Sequence, residues 1–122
     1  MDTKNINTKT LYAHADLLNA EAKKYYDDIE KAWFFRNDGF MSDEQYAALC
    51  ADREKKAAPL ERDAKLLHDF AFAVDAQLAA ADGGDVMSDF MLANAKPLDS
   101  FDLEAVKAAA NLAAGLADPA PC

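Results

Sequence analysis

Apolar residues recur along the first third of the chain at alternating spacings of four and three. Leu11, Ala15, Leu18, Ala22, Tyr25, Ile29 and Ala32 fall on one stripe of a 3.6-residue helix, while Asp16, Glu21, Lys23, Lys24, Asp27, Glu30 and Lys31 fall mostly off it. The pattern predicts an amphipathic helix from about Thr8 to Arg36. Asn37-Asp38-Gly39 ends it, because the glycine can take the left-handed conformation that closes a helix. A second helix start follows in Met41-Ser42-Asp43-Glu44-Gln45-Tyr46. The Ser42 hydroxyl can accept from the Gln45 amide, the Gln45 side chain can reach back to the Ser42 N–H, and Met41 can staple onto Tyr46. Asp43 and Glu44 stand where the helix dipole favours acids. This helix is expected to end or kink just before Pro59, which lacks a backbone donor and crowds the carbonyl four residues earlier.

From Leu60 the stripe resumes through Ala64, Leu67, Ala71, Val74, Leu78 and Ala81, widened by Leu66 and Phe70, and predicts a third helix that stops at Asp82-Gly83-Gly84-Asp85. A short helix is expected from Val86 to about Ala95, capped by Asp85 and closed by Lys96-Pro97. A last one begins at Asp102, with Phe101 placed to staple onto Val106, and carries Leu103, Val106, Ala110, Ala113 and Leu116. No internal repeat or long linker divides the chain. The expectation is an all-α fold, a compact antiparallel bundle of four to five helices in a single domain over residues 1–118, with a frayed tail over 119–122.

Composition agrees and adds a constraint. Of the 122 residues, 27 are alanine, 13 leucine and only five valine or isoleucine, which disfavours a sheet and favours close-packed helices. Alanine methyls bury little area, so association with another copy or a partner would relieve a thin core, and a homo-oligomer is one expectation. No apolar stretch approaches the roughly 20 residues of a membrane-spanning helix. The opening Met1-Asp2-Thr3-Lys4-Asn5 has no apolar core of the secretory kind, which sets a cytoplasmic expectation. The net charge of −9 disfavours direct binding to nucleic acid through a broad electrostatic surface.

The most unusual local feature is aromatic. Tyr25, Tyr26, Trp33, Phe34, Phe35, Phe40 and Tyr46 place seven of the 12 aromatic residues within 22 positions. Consecutive helical residues point about 100° apart, so Trp33-Phe34-Phe35 cannot all face one narrow core. The ordinary packing would wrap this helix end, with Phe40 and Tyr46 folded over it. The alternative is an exposed patch that docks a partner, with Tyr26, Trp33, Phe34, Phe35 and Phe40 as contacts. Acids gather near the later turns, at Asp82, Asp85, Asp89, Asp99, Asp102 and Glu104. Helix capping accounts for most of them, and a second-choice contact runs through Asp82, Asp85 and Asp89.

Catalytic and metal signals are weak. His14 and His68 belong to no ligand spacing, and Asp82-Gly83-Gly84-Asp85 lacks the alternate oxygens and closing glutamate of a calcium loop. Cys50 could act as a nucleophile only if His68 folded back onto it at Pro59; otherwise it is a small core residue. The pair Cys50 and Cys122 forms no disulfide framework. No phosphate-binding loop or hydrolase elbow is present. These readings converge on a small acidic non-enzymatic module, without cofactor or metal, that binds a protein with an apolar or basic surface. An adaptor, antitoxin or phage-type inhibitor has this character. The competing class is a small-molecule sensor or sink, whose pocket those aromatics would line with Tyr25, Tyr46 or Arg36 supplying polar groups.

Overall fold

In a computed structural model, residues 6–81, 83 and 86–117 are described. They form four α-helices, α1 (Thr8–Asn37), α2 (Asp43–Ala81), α3 (Val86–Asn94) and α4 (Leu103–Ala117), with a 3-10 turn at Leu98–Ser100 and no strand among them. The helix ends are built as their residues predict. Asn7 caps α1 by accepting from the Thr10 amide at 3.2 Å, a cap that lies one residue outside the expected start. At the other end Gly39 has φ +84°, and the Phe40 and Gly39 amides return to the Phe35 and Arg36 carbonyls at 2.9 and 3.1 Å. This is the Schellman closure of a helix. The Ser42–Gln45 box forms in both directions, at 3.1 and 2.9 Å. Asp102 caps α4 by accepting from the Glu104 and Ala105 amides at 3.0 and 3.3 Å.

Pro59 does not end its helix. α2 runs through it for 39 residues, which merges the two helices expected on either side and leaves four rather than five. The local cost of an interior proline, about 3 kcal/mol, is set against continuous packing. Ala57 and Ala64 on the opposite side of α2 are buried against the rest of the fold, whereas Pro59 and Lys55 face solvent, where water can replace the missing donor to the Lys55 carbonyl. Two cross-helix links straddle the proline: Arg53 Nε donates to Asp28 at 3.0 Å before it, and the Tyr26 hydroxyl donates to Glu61 after it.

α1 and α2 thus form one long antiparallel hairpin, and its two halves differ. At the open end α4 adds a third helix, and Val106, Ala109 and Ala113 close a core with Ala15 and Leu18 of α1 and Ala64, Leu67, Phe70 and Val74 of α2. Phe101 packs edge-on against Phe70 with centroids 5.3 Å apart, and Lys96 and Lys65 converge on Asp69 at 3.1 and 3.5 Å to hold the α3–α4 connection on α2. Toward the turn the buried positions between residues 19 and 63 shrink to Ala22, Ala32 and Ala57. At 1.5 Å per residue α1 is about 45 Å long and α4 about 22 Å, so the third helix runs out before the hairpin does. Leu103, expected on the α4 stripe, is exposed, and Val106 one turn later is the first α4 residue buried in the core.

Two consequences can be measured by chemical denaturation. Replacing Pro59 with Ala restores a backbone donor in a helix already in place and should stabilise the fold by about 1–2 kcal/mol, net of the lost proline constraint on the unfolded chain. Leu67→Ala, in the three-helix core, should destabilise it by about 2–5 kcal/mol.

Candidate functional site

The end of the hairpin collects the residues that the sequence singles out. Tyr26, Trp33, Phe34, Phe35 and Phe40 are all exposed, from 41% at Tyr26 to 81% at Phe40. The wrapped packing is therefore not the one adopted: neither a third helix nor the turn covers these rings. All three members of Trp33-Phe34-Phe35, and not merely one, stand at the periphery. Trp33 and Phe34 pair edge to face with centroids 5.1 Å apart. About 100° further round the helix, Phe35 borders an open groove of about 240 Å³ with Asp28, Lys31, Met41, Leu49 and Arg53. Phe34 borders another, of about 290 Å³, with Asp27, Glu30 and Lys31. Phe40 sits at the turn, fixed by its amide on the Phe35 carbonyl. The result is a collar of aromatic rings around the tip.

Charge at the tip is uneven in its commitments. Residues 26–54 carry eight acids and three bases. Arg53 is held by Asp28 and Asp52, which raise its pKa, and Arg36 lies 4.7 Å over the Tyr46 ring and 3.9 Å from Asp43. Hydrogen bonds from Lys56 and Arg53 keep Asp52 below the usual carboxylate range. Glu30, Asp38 and Glu44 are exposed and have no ion-pair partner within 4 Å among the described residues. Of the polar groups expected to converge in a ligand pocket, Arg36 and Tyr46 stack on one another instead, and both grooves at the tip are open to solvent.

Three tyrosines are tied to acidic or thiol partners. Desolvation, then the charge of Asp75 and a 3.3 Å hydrogen bond to it, raise the pKa of Tyr12, whose ring also meets His68 edge-on at 5.1 Å. The hydrogen bond to Glu61 raises Tyr26, and the hydrogen bond to Cys50, one turn along α2, raises Tyr46.

The other sequence candidates separate. Because α2 is unbroken, Cys50 and His68 stand 18 residues apart on one helix, roughly 27 Å at 1.5 Å per residue, and form no nucleophile–base pair. Cys50 is half-buried beside Tyr46 and so is not the fully buried core residue of the other expectation. Among the described residues no group of three or more His, Cys, Asp or Glu could hold a metal ion, and no helix is long and apolar enough to cross a membrane. Asp89 is exposed in the first turn of α3; of the calcium candidate only Gly83 is described, and Asp82, Gly84, Asp85 and the tail with Cys122 lie outside the described residues. The links Asp28–Arg53 and Tyr26–Glu61 leave no local mark in the sequence, since each joins residues 25 or more positions apart whose helix register is set only on packing. No protein-family model, curated protein or solved structure matches the chain.

An alkaline titration followed by tyrosinate absorbance tests the tyrosine environments. Tyr12 should ionise above the ordinary value of about 10. A folded-state pKa raised in this way contributes stability that is complete below pH of about 10 and is lost as pH rises through the raised value. Asp75→Asn should bring Tyr12 part of the way down, the part due to desolvation remaining.

Proposed function

We propose that the protein is a binding module that engages a protein partner through the aromatic collar of the α1–α2 hairpin. The observation that carries this reading is the exposure of five large aromatics on one end of a fold with an otherwise alanine-lined seam. Isolated exposed apolar residues are ordinary, but five exposed Trp, Tyr and Phe residues within 15 positions, Trp33 and Phe34 among them in contact, have the composition of interface anchors, and each ring gains more from a partner's surface than from water. The scaffold suits the role. The Schellman closure and the Ser42–Gln45 box pin the turn, and the cross-helix links below it hold the rings on a stiff support, so little ordering entropy is lost on docking. The rings belong to an adaptor or an inhibitor better than to a sensor, because the grooves beside Phe34 and Phe35 are open surfaces rather than enclosed cavities.

The double variant Trp33→Ala/Phe35→Ala tests it. Both side chains are about half exposed, so the far-UV helical signal should survive with a small loss of stability, while a partner captured from native lysate by the wild-type chain should be lost. Capture should weaken at high salt yet persist, since the rings and not charge supply most of the contact. Equal capture by the variant, or no capture by a monodisperse monomer at either salt, contradicts the reading.

A further inference from the structure

The rim of the collar identifies the chemistry of what it takes. Resting on the docking role just proposed, the geometry points to a cationic amphipathic segment of a partner protein as the occupant, its apolar side chains on the paired rings of Trp33 and Phe34 and its Arg or Lys groups against Glu30, Asp38 and Glu44. Two of the three basic side chains at the tip are already engaged, Arg53 by Asp28 and Asp52, and Arg36 over Tyr46; Lys31, which borders both grooves, has no ion-pair partner among the described residues, so one uncommitted base stands against the uncommitted acids Glu30, Asp38 and Glu44. Glu30 borders the groove beside Phe34, Asp38 follows α1 directly at the turn, and Glu44 stands in the exposed first turn of α2. Exposed rings add a second attraction for the same ligand, because a guanidinium or ammonium is drawn to the face of Trp or Phe.

The charge balance also argues against other occupants. A second copy would bring the same excess of acid to the same place, and an anionic lipid surface would be repelled in the same way. A cationic partner is the one class that both the rings and the rim favour.

Trp33 is the sole tryptophan of the chain, so its emission reports the site directly. The purified full chain is titrated with a synthetic Leu/Arg amphipathic helical peptide and with the same peptide carrying Glu in place of Arg. Phosphatidylcholine vesicles form a third arm, and sedimentation of the chain alone a fourth. The expected result is a saturable blue shift of Trp33 with the cationic peptide alone. In Glu30→Gln/Asp38→Asn/Glu44→Gln the affinity should fall about tenfold at low salt, with a flatter salt dependence. Should the triple variant lose helix, Glu30→Gln/Asp38→Asn, which leaves the α2 start intact, carries the comparison with a smaller drop. Equal shifts with both peptides, or unchanged affinity in the neutralised variant, overturn the cationic assignment while leaving the collar as a docking site. A shift with vesicles alone assigns it to lipid, and concentration-dependent self-association that Phe34→Ala/Phe35→Ala abolishes assigns it to a second copy; either overturns the proposal. Silence in every arm overturns both the cationic assignment and the docking role.

Discussion

The close antiparallel contact of α1 with α2 is the constraint on which the rest of the molecule depends. Its seam is made largely of alanine: Ala15, Ala22 and Ala32 on one helix, Ala57, Ala64 and Ala71 on the other. Small side chains let two backbones approach along their whole length, but each methyl removes little surface from water, so the seam is long rather than deep. That length carries α2 across Pro59. A helix break there would separate two stretches that are each already registered against α1, and the links at Asp28–Arg53 and Tyr26–Glu61 would have to find new geometry.

The same economy of bulk leaves the hairpin end uncovered. Larger side chains, Leu18, Leu67, Phe70 and Val74, are gathered where α4 can lie across them. Beyond that point two helices face each other alone, and a two-helix layer has one buried line and no second side to hide a ring. Trp33, Phe34 and Phe35 leave the seam in different directions, and the turn that follows is pinned too tightly by its caps for Phe40 to fold back over them. Exposure of the collar is thus a consequence of helix lengths, and the acids around it follow from the caps and the solvent face on which they lie.

Much of this fold is legible in the residues taken in order. The stripe through Leu11 to Ala32 marks the buried face of α1, the Ser42–Gln45 pair marks the start of α2, Gly39 marks the end of α1, and Asp102 marks the start of α4. These signals are local, arising from interactions within one or two turns, and local context decides them. Pro59 is the instructive exception. Its local penalty is real, yet the decision between ending and continuing belongs to contacts with a helix some 30 residues earlier. The pairing of Cys50 with His68 fails for the same reason, since it required the break that packing removed.

The all-α class, the faces of the helices, most of their ends, and the density of aromatic residues between Tyr25 and Tyr46 follow from the order of residues, because periodicity, capping and composition act over a few positions. Packing between distant helices is what makes α2 continuous, stops α4 short of the turn, engages Arg36 and Arg53 while leaving Glu30, Asp38 and Glu44 without ion-pair partners, and puts the rings in solvent. Whether an aromatic residue is core or surface depends on what lies across from it, and that is fixed by the relative lengths and register of helices far apart in the chain.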